Sequence, residues 1–156
     1  MFFSVFRKLL IVYSILLLFP VWAFAQTADG RPCPKLPVVQ DVDGNSYHTV
    51  QIGKQCWMKE NLRTTKYADG QEVALEESKL SFTKGYRYCP NRDVVNVENF
   101  GYLYNWTAAT RGLHSKKNPS KVQGICPNGW HVPSEAEWTQ LIDYVQSKSA
   151  YRCDDY

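Results

Sequence analysis

The sequence lacks a strong excess of charge of either sign. It has 18 Lys and Arg residues against 15 Asp and Glu residues, which gives a formal net charge of +3 at pH 7. Arg7 and Lys8 contribute two of these charges and lie in a segment that we expect to be removed from the mature chain. Proteins that bind nucleic acid through their overall charge carry a much larger basic excess. The composition therefore excludes nucleic acid as an expected partner.

The sequence also lacks a complete catalytic or metal-binding motif. It has only three histidines and no C-x-x-C pair. Cys126 and His131 come nearest to a ligand pair, but a zinc site needs three or four ligands, and we interpret His131 as a packed, hydrogen-bonded residue. Asp41, Asp43 and Asn45 resemble the start of a calcium loop whose required glycine and glutamate positions are not filled. We expect no catalytic residue, no metal and no other cofactor.

The first 25 residues have the pattern of a secretory signal peptide. A short basic segment precedes an apolar run over residues 9–20, and the small-residue pattern Ala23-Phe24-Ala25 follows. Because the apolar run is short and leads directly into a cleavage pattern, it predicts a cleaved signal rather than a membrane anchor. We expect cleavage between Ala25 and Gln26. The mature chain would then be secreted, periplasmic or on the cell surface, with no stable membrane span.

All five cysteines lie in the predicted mature chain: Cys33, Cys56, Cys89, Cys126 and Cys153. In an exported protein the default interpretation of such residues is disulfides, which help a domain with a modest apolar core. The odd number predicts two bridges and one spare thiol. Spacing alone does not decide which cysteines pair.

Turn signals near the start of the mature chain predict an antiparallel β-meander. Asp43-Gly44 is a strong hairpin signal, and Gly53-Lys54 is a weaker one. They separate three β-like runs, which predict strands near residues 38–42, 47–52 and 55–58.

A first helix is predicted farther along, after a polar and irregular stretch. Leu103, Trp106 and Thr110 recur at helical spacing, and Gly112 is a stop signal. Asn105 begins an N-glycosylation pattern. We interpret this pattern as chance, since it falls inside the predicted helix.

A second helix is predicted to begin at a capping box formed by Ser134 and Glu137. Glu135 and Glu137 are two residues apart and point to different sides of a helix, so they do not form an acid/base pair. Four apolar residues then recur at helical spacing and predict one buried face: Trp138, Leu141, Ile142 and Val145. We interpret Ser134, Glu137 and Trp138 as a structural motif.

Three blocks of sequence resemble a known family in that family's order: residues 41–70, 101–109 and 124–138. They are similar to the Fibrobacter succinogenes major paralogous domain, which is typical of exported and surface proteins of Bacteroidetes and Fibrobacteres. The resemblance covers residues 40–156, and residues 26–39 form a Pro-rich lead-in. The family carries no established activity, so the resemblance implies a domain and no reaction. The family pattern continues past the second helix, which implies a partial domain truncated at its C-terminus.

Two further expectations come from resemblance. The block "HVPSEAEW" resembles "LPTEAEW" of the sulfatase-modifying-factor proteins and implies an α+β, C-type-lectin-like fold, here a short antiparallel meander with two helices. It transfers no catalytic residue. The major-domain family has an aromatic residue where Cys89 stands, which makes Cys89 the candidate for the spare thiol. The bridge candidates are then the other four: Cys33, Cys56, Cys126 and Cys153.

The expected function is that of a non-catalytic recognition or adhesion module on the bacterial cell surface, with a surface glycan or protein as its ligand. The support is the absence of a catalytic motif and a scaffold whose relatives present variable loops for recognition. One alternative is a cell-envelope enzyme that uses a free cysteine. A second is a truncated paralogue without independent function.

Overall fold

The structure is a computed structural model that describes residues 29–151. Ala25, Gln26 and Cys153 lie outside the described residues. The fold is α+β, with strands β1 (Val38–Gln40), β2 (Ser46–Ile52), β3 (Gln55–Met58), β4 (Ala74–Leu75), β5 (Tyr86–Tyr88) and β6 (Leu103–Tyr104). The helices are α1 (Val97–Phe100), α2 (Trp106–Thr110) and α3 (Glu135–Gln146).

The first sheet is the predicted antiparallel meander, in the order β1-β2-β3. Its register pairs Val39 with Tyr47 and Val50 with Trp57. The first turn forms because the Asp41 carboxylate accepts the backbone N–H groups of Asp43 and Asn45, each at 2.9 Å. The hairpin prediction for this region is confirmed.

The carboxylates of the apparent calcium loop are occupied by protein donors. The Tyr47 hydroxyl donates to Asp41 at 2.6 Å. Asp43 accepts the Thr65 hydroxyl at 2.8 Å and pairs with the Lys66 ammonium at 3.2 Å. These contacts tie the turn to the segment that follows the meander, which gives both aspartates a structural role.

The second sheet was not predicted and has the order β4-β5-β6. Strand β4 runs parallel to β5, and β6 runs antiparallel to β5. Leu103 belongs to β6 and is exposed, so the prediction of a first helix that includes it is wrong. Helix α2 covers only Trp106–Thr110 and ends at Arg111, whose φ of 56° is left-handed.

Asn105 explains why the helix begins where it does. Its side-chain oxygen accepts the Ala108 N–H at 2.9 Å, which makes Asn105 the N-cap of α2. The same oxygen accepts the Tyr86 N–H at 3.0 Å, and its amide group donates to the carbonyls of Ser81 and Lys84, both at 2.8 Å. This asparagine therefore joins the second sheet, α2 and one loop, which gives it a structural role that the glycosylation pattern did not indicate.

The main core lies between the second sheet and α2. Its buried members are Tyr67, Val73, Ala108 and Ile125. The segment before Ile125 runs so close to α2 that a Cβ at Gly124, whose φ is 52°, would overlap the Ala109 carbonyl oxygen. Only glycine fits this approach without a shift of the backbone.

Helix α3 has the predicted capping box but not the predicted buried face. Ser134 and Glu137 make both reciprocal hydrogen bonds. Trp138, however, is 48% exposed, and Ile142 is exposed as well. The helix meets the meander along one edge, where Tyr144 packs so closely that a Cβ at Gly53 would lie 3.0 Å from its ring. Tyr144 does not belong to the predicted apolar face. Since the helix contacts the meander along an edge that includes Tyr144, part of the predicted face is left in solvent.

The four cysteines of residues 29–151 comprise one disulfide and two free thiols. Cys33 and Cys56 form a disulfide, which links the lead-in to β3. Cys89 and Cys126 are free and buried. Cys126, which the sequence analysis placed among the bridge candidates, therefore carries a free thiol in the structure.

Candidate ligand cleft

A cleft of about 650 Å³ lies between the meander and α3. It is lined by β3, by residues 60–62, by the segment from Asn118 to Pro133 and by the first two turns of α3. Ligand sites in proteins have volumes of roughly 300–1,000 Å³. The cleft is therefore large enough to hold part of an organic ligand.

Three tryptophans from separate elements line the cleft: Trp57, Trp130 and Trp138. Trp57 stands on β3, where strand pleating turns it toward α3, and Trp138 stands in the first turn of that helix. Their ring centroids are 5.0 Å apart with an interplanar angle of 41°. Trp130 closes a tight turn in which its N–H donates to the Pro127 carbonyl at 3.0 Å. The cleft thus presents aromatic surface from several directions.

Amide side chains stand among these rings. The Asn118 amide donates to the side-chain oxygen of Gln140 at 2.7 Å, and Asn61 donates to the Phe100 carbonyl at 3.0 Å. An amide group has two donor hydrogens and an oxygen with two lone pairs. Each of these side chains therefore keeps hydrogen-bonding capacity beyond the contacts it makes within the protein.

A buried carboxylate fixes the wall of the cleft near the helix cap. Glu137 Oε1 lies 2.7 Å from His131 Nε2, and Glu137 Oε2 accepts the N–H groups of Ser120 and Ser134 at 3.0 Å. Because a carboxylate is only an acceptor, this contact places a proton on His131 Nε2. Through these contacts Glu137 holds the Ser120 segment and His131 against α3. His131 is hydrogen-bonded, as the sequence analysis predicted.

The electrostatics of Glu137 favour its charged form. Burial alone raises the pKa of a carboxyl group, but the Ser134 N–H, the His131 ring and the Ser120 N–H together hold the pKa of Glu137 below its usual value. Glu137 is therefore a carboxylate at neutral pH. A carboxyl group in this state is suited to holding structure rather than to donating a proton.

Cys126 also lines the cleft, and its environment favours the neutral thiol. Burial raises the pKa of Cys126 to about 12. The thiolate is the nucleophilic form of cysteine, so we expect this thiol to react slowly near neutral pH. Within residues 29–151, moreover, no group of three or more His, Cys, Asp or Glu residues is placed to hold a metal ion.

Some of the predicted residues meet at this cleft and some do not. Glu137 and Trp138 line it together with Cys126 and one half of the disulfide, Cys56. Cys89 is buried at the end of the second sheet. The sequence analysis missed Trp57, Trp130 and the amide side chains as partners, because they come from distant segments and no local pattern joins them.

A comparison with known proteins assigns the chain to a family. A family model described as the Fibrobacter succinogenes major domain matches residues 50–155, more than half of the chain. The chain belongs to this family. No match was found among the curated proteins or the solved structures.

The region matched to the Fibrobacter succinogenes major domain contains nearly the whole cleft. It begins inside β2 and includes β3, the three tryptophans and α3. No helix of residues 29–151 is long and apolar enough to cross a membrane. The geometry therefore describes a Fibrobacter succinogenes major domain with an open aromatic cleft beside a capped helix.

Proposed function

We propose that this protein is an exported, non-catalytic recognition module of the bacterial cell surface and that its tryptophan cleft binds a saccharide. The observation that carries the proposal is the placement of Trp57, Trp130 and Trp138 around one cleft with amide side chains between them. The C–H groups on the face of a sugar ring carry partial positive charge and stack on the negative face of an indole. The hydroxyl groups of the sugar would bond to the amides.

The charges around the cleft favour a neutral ligand. Glu60 is paired with His48 at 2.8 Å, and Glu137 is enclosed by protein donors. Lys54 is left as an exposed cation on the rim. A strongly anionic ligand would find little compensating charge here, whereas an uncharged saccharide needs none.

The expected localisation and the finer fold assignment belong to the same proposal. The signal-peptide pattern over residues 1–25 supports export, and the block around Ser134 forms a capped helix beside a sheet. We propose on this basis that the fold is C-type-lectin-like. Recognition through loops and clefts on a rigid scaffold is compatible with such a fold.

A second candidate function is a cell-envelope enzyme that uses a free thiol. One observation favours it, since Cys126 and His131 line the same cleft. Two observations oppose it: the pKa of Cys126 is raised to about 12, and the Nε2 proton of His131 is directed to Glu137. A general base for the thiol is therefore not available from His131 Nε2.

The experiment is a glycan-array screen of the exported chain, followed by titration calorimetry with the saccharides that bind. We expect Trp138→Ala to weaken binding at least about tenfold, since it removes a stacking surface worth about 1.4 kcal/mol or more. Trp106→Ala is the matched control, because Trp106 is exposed outside the cleft. Near-UV CD shows whether each variant is folded.

Two outcomes would contradict the proposal. One is a folded chain that binds no saccharide on the array. The other is a saccharide whose affinity falls equally in the Trp106 and Trp138 variants, which would place the site elsewhere. Binding of a protein ligand through the cleft in place of a saccharide would retain the recognition role and reject the ligand class.

A further inference from the structure

We propose that the loop of residues 79–84 is a membrane-contact element that inserts Leu80 and Phe82 into the interface of a bilayer with anionic headgroups. Phe82 is 94% exposed and Leu80 is 86% exposed. These are the two most exposed large apolar side chains of residues 29–151. Both stand on one short loop away from the cleft, so the inference is independent of saccharide binding.

The loop is held in place by the elements behind it. The carbonyls of Ser81 and Lys84 accept the Asn105 amide, and the Phe82 carbonyl accepts the Thr107 hydroxyl at 3.0 Å. The Tyr88 hydroxyl donates to the Lys79 carbonyl at 3.0 Å. The backbone carbonyls are thus bonded toward the second sheet and α2, while the side chains of Leu80 and Phe82 remain in solvent. An apolar tip on an anchored backbone is presented to a partner without further folding.

The charges of the loop select an anionic surface. Lys79 and Lys84 flank the apolar pair, both are exposed, and the segment between Glu77 and Asp93 contains no carboxylate. The nearby Glu76 carboxylate is turned onto the backbone and accepts the N–H groups of residues 77–79. Lysines beside an inserted apolar side chain can extend their ammonium groups to lipid phosphates.

An exposed tryptophan stands next in sequence to one of the residues that anchor the loop. Trp106 precedes the residue that anchors the Phe82 carbonyl and is 64% exposed. Indole rings are enriched at the interface between water and lipid. The chain as a whole has only a small positive charge, so its net charge supplies little attraction. Contact with the bilayer therefore depends on insertion of the tip together with the two local lysines.

A bilayer fits these features better than a second copy of the chain or a protein groove. Two copies meeting through this loop would bring four ammonium groups together. The apolar side chains protrude from a convex tip, which a bilayer accepts without a preformed pocket. A protein partner would need an apolar pocket with acidic edges, and this becomes an outcome of the test.

The test is co-sedimentation of the full chain with vesicles of phosphatidylcholine alone and with vesicles that also contain phosphatidylglycerol. The paired variants are Leu80→Ser with Phe82→Ser, and Lys79→Gln with Lys84→Gln. The matched control is Val94→Ser with Val95→Ser, which removes two exposed apolar side chains outside the loop. Any vesicle binding by the N-terminal segment is common to the wild type and all variants. The contribution of the loop is therefore the difference in partitioning between them.

We expect the Leu80/Phe82 variant to lose at least about tenfold in partitioning to anionic vesicles, because two inserted side chains are removed. We expect the Lys79/Lys84 variant to lose several-fold, with weaker dependence on salt, and the control to keep the wild-type value. Equal partitioning of all three variants would overturn the proposal. Partitioning that does not depend on phosphatidylglycerol would also overturn it. A chain that binds neither vesicle would overturn it as well, and a protein partner with an acidic pocket would then be the next candidate to test.

Discussion

Glu137 is the residue on which most contacts at the helix cap converge. Its carboxylate bonds to His131, Ser120 and Ser134, although the side chain is buried. We expect Glu137→Gln to lower the free energy of unfolding by about 2–3 kcal/mol, because charge-assisted bonds are lost and one N–H donor is left without an acceptor. Glu135→Gln is the matched control, since Glu135 lies in the same turn and is exposed. Chemical denaturation measures the unfolding free energy of both variants. Equal losses in the two variants would show that the buried contacts of Glu137 do not stabilise the fold.

The stability that Glu137 contributes depends on pH in a definite direction. Its pKa is held below the value near 4.3 that a glutamate has in an unfolded chain, so the unfolded state binds the proton first as pH falls. Its contribution is fully present above that pH and is lost as pH falls through the lower folded-state pKa. We expect the difference in unfolding free energy between wild type and Glu137→Gln to be constant near neutrality and to shrink in acid. A difference that does not shrink even at the lowest pH at which the chain stays folded would contradict the assignment of Glu137 as a carboxylate.

Cys126 gives a test at a single thiol. Since burial raises its pKa to about 12, we expect it to resist alkylation by iodoacetamide in the native chain up to about pH 9 and to react at once in denaturant. Mass spectrometry of the digested chain assigns the modification to the Cys126 peptide. Fast native alkylation of Cys126 near neutral pH would favour the thiol-enzyme alternative.

Residue roles were predictable where the partners are close in sequence. The capping box joins Ser134 to Glu137, three positions away, and the carboxylate turn joins Asp41 to Asn45. The additional bond from Ser120 to Glu137 spans 17 positions, and no local pattern encodes it. The sequence therefore indicated the motif but not the segment that the motif holds.

At the scale of elements, Asn105 decides whether the loop of residues 79–84 keeps its position. We expect Asn105→Ala to lower the free energy of unfolding by about 2 kcal/mol, because it removes the cap of α2 and the donors to the loop carbonyls. We also expect faster limited proteolysis by trypsin after Lys79 and Lys84. Asn128→Ala is the control, since Asn128 is exposed in another loop. Unchanged cleavage in the Asn105 variant would show that the loop is held by other contacts.

The elements differ in how well they could be predicted. The meander was predictable because hairpin residues and strand-length runs occur next to each other. Strands β4 and β6 have two residues each, which is too short to show a period, and β4 pairs in parallel with β5, a pairing for which no hairpin turn gives a signal. The first helix was predicted too long, because Leu103 and Trp106 fit a helical period while Asn105 between them starts a new element.

At the scale of the whole molecule, the cleft lies along the contact between the meander and α3. That contact is narrow: Trp57 meets Trp138, the Gln55 amide donates to the Glu137 carbonyl at 3.0 Å, and Tyr144 packs on Gly53. Because the meander and α3 touch only along an edge, the aromatic side chains of the cleft remain partly exposed to solvent. The number of tryptophans was visible in the sequence, but their convergence depends on contacts between residues about 80 positions apart.

The disulfide bears on the stability of this open arrangement. Cys33 and Cys56 are 23 positions apart, and Cys56 lies beside Trp57 on β3. In the chain-entropy description a loop of this length contributes about 3 kcal/mol to the free energy of unfolding. We expect the paired variant Cys33→Ser with Cys56→Ser to lose about that amount in chemical denaturation and to bind cleft ligands more weakly, since β3 carries one wall of the cleft.

Reduction supplies the control for that prediction. Dithiothreitol should lower the stability of the wild-type chain toward that of the paired variant and leave the variant itself unchanged. The free thiols of residues 29–151, Cys89 and Cys126, are present in both chains, so they cancel from the comparison. If the reduced wild type and the paired variant unfolded at the same denaturant concentration as the oxidised chain, the disulfide would not stabilise the fold. The shape of the cleft would then depend on the packing of α3 against β3 alone.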